Sequence, residues 1–96
     1  MTMLKLYNKT QSSVEYAFTE NPNRPPLTTV VVPPGGMKIT YPYVNRDYIW
    51  FRYYGVNMWP QPPVLIGDFG VPVYWWKFIP QGSGIGLVGA FEEVGH

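Results

Sequence analysis

The chain has 96 residues, seven Lys or Arg against six Asp or Glu, and no cysteine. That length suits one core and one folding unit over residues 1–96, and the missing cysteines exclude a disulfide framework, a thiolate zinc site and a cysteine nucleophile. A net charge of +1, with Lys5, Lys9, Arg24, Lys38, Arg46, Arg52 and Lys77 spread evenly, argues against a nucleic-acid partner.

Eleven Pro and ten Gly cut the sequence into segments too short for stable helices. The segments that remain are rich in β-branched and aromatic residues, which suit a pleated surface. The N-terminus turns polar after seven positions and lacks the apolar stretch of a signal peptide, so the expected location is cytoplasmic, or outside by a non-Sec route. Apolar runs such as Val71 to Trp76 fall far short of the ~20 residues of a membrane-spanning helix, so no transmembrane segment is expected.

In chain order, the first predicted strand covers residues 3–8 and ends at Asn8-Lys9-Thr10. This triplet matches a glycosylation acceptor, but without a secretory route it reads as a strand-end turn. A second strand, 14–19, leads into Asn21-Pro-Asn-Arg-Pro-Pro26, which must be extended or turned. A third, 28–32, is followed by Pro33-Pro-Gly-Gly36, read as a tight reversal joining it to a fourth over 38–41.

The fifth strand, 48–54, places Ile49, Phe51 and Tyr53 on one face and Tyr48, Trp50, Arg52 and Tyr54 on the other. The first set reads as core. The second is aromatic yet charged, as expected of a sheet surface covered by a partner or ligand. Residues 55–63 form a longer, proline-rich loop that carries Trp59, and a short strand follows at 64–66. Gly67-Asp68-Phe69-Gly70 contains the triplet that holds magnesium in protein kinases, but no companion kinase motif is present and the stretch reads as a turn.

A seventh strand, 73–78, has Lys77 on its outer face, which points Trp75 outward and Trp76 into the core. Gly82-Ser-Gly-Ile-Gly86 lacks the Lys-Ser/Thr of a phosphate loop and reads as a flexible hairpin loop before a last strand at 87–92. The wider stretch 82–91 is small, apolar and uncharged, like a fusion peptide, and also like a Gly-rich edge or interface strand. About eight short strands of this kind predict an all-β fold, a small and mostly antiparallel β-sandwich, with a small β-barrel as the alternative.

The single histidine is the terminal His96, and adjacent Glu92 and Glu93 point to opposite faces of a strand. With so few titratable groups the expectation is no enzyme, no catalytic residue, no metal and no cofactor. Aromatic residues, at 18% of the chain, exceed what one small core hides. Sugars bind aromatic faces together with a few polar side chains. The candidate ligand site is therefore Trp50, Tyr54, Trp59 and Trp75 with Arg52, Asp47 and Asn57. The leading expectation is a carbohydrate-binding, lectin-like homo-oligomer. The alternative is a structural or assembly subunit, as in a virion, secretion apparatus or protein lattice, whose exposed rings anchor a protein partner. A third reading is a membrane-active toxin that uses residues 82–91.

Overall fold

A computed structural model describes residues 4–40, 48–60, 62–65 and 75–90. Among them are eight strands and no helix: β1 (Leu4–Asn8), β2 (Val14–Thr19), β3 (Val30–Val32), β4 (Met37–Thr40), β5 (Tyr48–Tyr53), β6 (Val64–Leu65), β7 (Trp75–Gln81) and β8 (Gly84–Ala90). They form two four-stranded sheets, ordered β4-β1-β7-β8 and β3-β2-β5-β6. Every pairing is antiparallel except that of β1 with β7. The fold is the expected small β-sandwich.

Alternation builds the core. Leu6 from β1, Val14 and Tyr16 from β2, Val32 from β3, Ile49 and Phe51 from β5, Trp76 and Phe78 from β7 and Ile85 from β8 meet between the sheets. Full burial of each large apolar side chain contributes about 1.5–3 kcal/mol. The Phe78 ring packs 5.5 Å from that of Phe51 and 5.9 Å from that of Tyr16, so the sheets interlock through aromatic pairs. Burial holds the Tyr16 hydroxyl above its ordinary pKa, partly opposed by its hydrogen bond with Thr40 at 2.9 Å.

Three segments differ from the expectations. Residues 33–36 do form a tight turn: Gly36 N–H donates to the Pro33 carbonyl at 2.9 Å, and Gly35 has φ 73°. Pro34 and Gly35 thus fill the central positions of a type II turn. The turn does not make a hairpin, however, because β3 and β4 belong to different sheets. β7 extends through Pro80 to Gln81, beyond the expected end at residue 78. Proline is accepted there because β1, the neighbour on that side, stops at the Asn8–Phe78 pair, so the absent N–H faces no strand. The expected flexible loop at 82–86 shrinks to two residues: Gln81 pairs with Gly84, and Gly82, at φ 58°, opens a turn of type II′ character. Gly84, Ile85 and Gly86 belong to β8.

Asn8-Lys9-Thr10 is a strand-end turn, as expected, and it also latches the two sheets together. The Asn8 side chain is 0% exposed. Its Nδ2 donates to the Val32 carbonyl on the opposite sheet at 2.9 Å and to the Ser12 carbonyl at 2.8 Å. Its Oδ1 accepts from the Thr10 amide at 2.9 Å and hydroxyl at 2.6 Å. The Asn8 backbone meanwhile bonds Gly35 and Gly36 of the type II turn. With both Nδ2 protons engaged in a buried site, this nitrogen cannot carry a glycan in the folded chain.

Candidate functional site

β5 positions the centre of the candidate site. Ile49 and Phe51 face the core, as alternation requires, which turns Trp50 and Arg52 to the outer surface of their sheet. On the adjacent β2, Glu15 lies directly opposite Arg52. Arg52 Nε donates to Glu15 Oε1 at 2.5 Å, and Thr29 Oγ1 donates to Glu15 Oε2 at 2.8 Å. Trp50 Nε1 donates to Thr19 Oγ1 at 2.7 Å.

The loop between β5 and β6 then folds back over this surface. The Arg52 guanidinium lies 3.9 Å from the centre of the Trp59 ring, and Trp50 meets Trp59 edge-on at 5.7 Å and 61°. Trp50 is only 7% exposed as a result. The aromatic, charge-bearing face expected to lie under a partner is covered by the chain's own loop. One face of Trp59 is occupied by a guanidinium, whereas stacking a sugar requires an open ring face. Trp50, Arg52 and Trp59 are brought together, but as a structural pack held by Glu15, Thr19 and Thr29.

The other candidates lie elsewhere. Tyr54, 64% exposed, and Asn57 stand on the open part of the same loop with exposed Val56 and Met58. Trp75 occupies a strand position in β7 between Lys5 of β1 and Ala90 of β8. Asp47 lies outside the described residues, as does the turn expected at 67–70. Trp76 is fully buried, as expected.

Sequence reasoning missed an open cleft of about 410 Å³ at the sandwich end, between Phe51, Tyr53, Val56 and Pro60 on one side and residues 83–85 on the other. Tyr53 spans it, its hydroxyl donating to the Gly84 carbonyl at 3.3 Å. The one available signal was that Phe51 and Tyr53 share the core face right up to the end of their strand. The volume suits a small ligand, but among the described residues the lining holds no carboxylate, amine or imidazole to fix one.

On the opposite sheet, Met37 and Ile39 of β4 share a face with Tyr7 and Lys5 of β1, and Val88 lies opposite Lys77. Met37, Ile39 and Val88 are 40%, 45% and 41% exposed. Lys9 approaches the Tyr7 ring at 5.5 Å. This outer face is therefore aliphatic and lysine-bearing.

Among the described residues no cluster of three or more His, Cys, Asp or Glu could hold a metal, and no helix is long and apolar enough to cross a membrane. The stretch expected to be membrane-active runs through β8, where Ile85 lies in the core and Leu87 packs against it. Comparison of the chain with protein-family models, with curated proteins and with solved structures finds no match.

Proposed function

We propose that the chain is a non-enzymatic assembly subunit, joined to copies of itself or to other chains through the sheet β4-β1-β7-β8. The observation that carries this reading is the contrast between the two outer faces: one is covered by Trp59 and its hydrogen-bonded neighbours, while the other presents Met37, Ile39 and Val88 to solvent. Apolar side chains set among lysines on one sheet surface have the composition of an interface rim and core. A second reading, carbohydrate binding, is favoured by the exposed Tyr54 ring on the same loop as exposed Asn57, which supply a stacking face and an amide donor and acceptor.

Light scattering across a concentration series, run beside a glycan array, tests the two together. The expected result is a defined oligomer, weakened by Val88→Lys, with a blank array. A strict monomer at high concentration that binds a related set of glycans, and loses them on Tyr54→Ala, would transfer the assignment to sugar recognition.

A further inference from the structure

The four outermost strands of the two sheets are protected to different degrees. β3 has three residues and runs into Pro33 and Pro34; β4 carries Lys38; and β6 follows Pro62 and Pro63. Short length, an edge lysine and proline are the devices by which sheets avoid pairing with other chains. β8 has none of them. Its seven residues, Gly-Ile-Gly-Leu-Val-Gly-Ala, contain no charge and no proline, and they pair with β7 in an unbroken register from Gly84 to Ala90. Among the described residues β7 is its one neighbour in the sheet.

The two-residue turn fixes which backbone groups point outward. Gln81 and Gly84 form the hydrogen-bonded pair that closes the hairpin, and bonded and non-bonded pairs then alternate along an antiparallel ladder. Gly84, Gly86 and Val88 thus turn their N–H and C=O groups towards β7. Ile85, Leu87 and Gly89 turn theirs to the edge away from β7, where no described strand lies.

We infer that this edge pairs with β8 of a second copy, antiparallel about a two-fold axis at Leu87, joining the two sheets into one. The inference rests on the assembly reading and names the partner. The sequence of the strand is complementary to itself about that axis. Ile85 falls opposite Gly89 of the second copy, Gly86 opposite Val88, and Gly84 opposite Ala90, so each of these pairs sets a glycine against its neighbour and no like charges meet. The two Leu87 side chains, already packed against their own cores, come together at the axis. Outward N–H and C=O groups of Ile85, Leu87 and Gly89 find partners in the same register. A two-fold contact of this kind uses up the edge of both molecules, so the product is a closed dimer, with no free β8 edge to propagate a fibre.

Two substitutions test the edge while keeping the hydrogen bonds between β7 and β8. Val88→Lys places two ammonium groups on diagonal positions of the joined sheet. Gly89→Pro removes an outward donor while leaving the bonds between β7 and β8 in place. Sedimentation velocity on the intact chain should give a species of twice 11.0 kDa for the wild type and 11.0 kDa for both variants, with unchanged far-ultraviolet circular dichroism. Amide exchange gives a second readout. In the wild type the Leu87 and Gly89 amides should be protected as well as that of Gly86, and in Val88→Lys they should exchange at least about 100-fold faster while Gly86 stays protected, since a lost interface hydrogen-bond ladder opens those groups to water. A wild-type oligomer that both variants leave intact would overturn the β8 pairing and leave the assembly reading standing. A wild-type monomer at millimolar concentration would overturn both.

Discussion

The outer faces of the two sheets carry similar material to different ends. Both hold aromatic or aliphatic side chains beside cations, and composition alone does not tell them apart. On β3-β2-β5-β6 the chain completes its own surface: Arg52 pairs with Glu15, Trp50 with Thr19, and Trp59 closes over both. On β4-β1-β7-β8, Met37, Ile39 and Val88 are exposed and, among the described residues, the β8 edge carries no guard. An aromatic cluster next to a charge is therefore evidence for a partner only after the chain's own loops have been given the chance to cover it.

If that contrast holds, substitutions on the two sides should divide between stability and assembly. The largest loss of stability belongs to the latch that makes the two sheets one body. Asn8→Ala takes the Asn8 partner from the Val32 carbonyl and the Thr10 amide in a buried site, while the Ser12 carbonyl keeps Thr10 Oγ1, at roughly 1–3 kcal/mol for each unsatisfied group. A loss of about 3 kcal/mol or more in urea unfolding is expected, enough to unfold much of a marginal domain.

Next comes the self-covered face. Trp59→Ala removes an Arg stack and an aromatic contact, each contributing on the order of 1 kcal/mol, together with the packing over Trp50. The expected loss is about 2–3 kcal/mol in thermal or urea unfolding. Glu15→Gln, which leaves Arg52 half-covered without its anion, should lose about 1–2 kcal/mol.

A smaller effect should appear at alkaline pH. Because burial raises the Tyr16 pKa above its ordinary value of 10.0, the unfolded chain ionises first. The stabilisation is complete below the unfolded pKa, so stability should fall as the pH rises past about 10 and continue falling until the folded-state pKa is reached. Urea midpoints between pH 8 and 11.5 should show this fall in the wild type and a shallower one in Tyr16→Phe. The least change in stability is expected from Val88→Lys, within about 0.5 kcal/mol, since the side chain is exposed and its backbone bonds are kept.

Much of the fold was legible in the sequence, because β2, β5 and the paired Trp75-Trp76 carry a period of two that only a half-buried strand explains. Pro80 and the glycines at 84 and 86 hid the β7–β8 hairpin. Each is a strand breaker in general and is tolerated here because of where the neighbouring strand stops and where the turn begins. The candidate site was legible only in part. Alternation correctly turned Trp50 and Arg52 away from the core, but periodicity is local, and the return of Trp59 from a loop seven residues further on is not. The Asn8 latch resisted reading for the same reason, since its partner Val32 lies on a strand of the other sheet.

The most direct test sets the two faces against each other, by sedimentation velocity and thermal unfolding of Trp59→Ala and Val88→Lys side by side. The expected result is a double dissociation: Trp59→Ala melts earlier at the wild-type mass, while Val88→Lys melts with the wild type, at protein concentrations where dissociation hardly moves the transition, but sediments at 11.0 kDa. If instead Trp59→Ala separates the subunits and Val88→Lys does not, the covered face is the interface and the assignment of the two sheets is reversed.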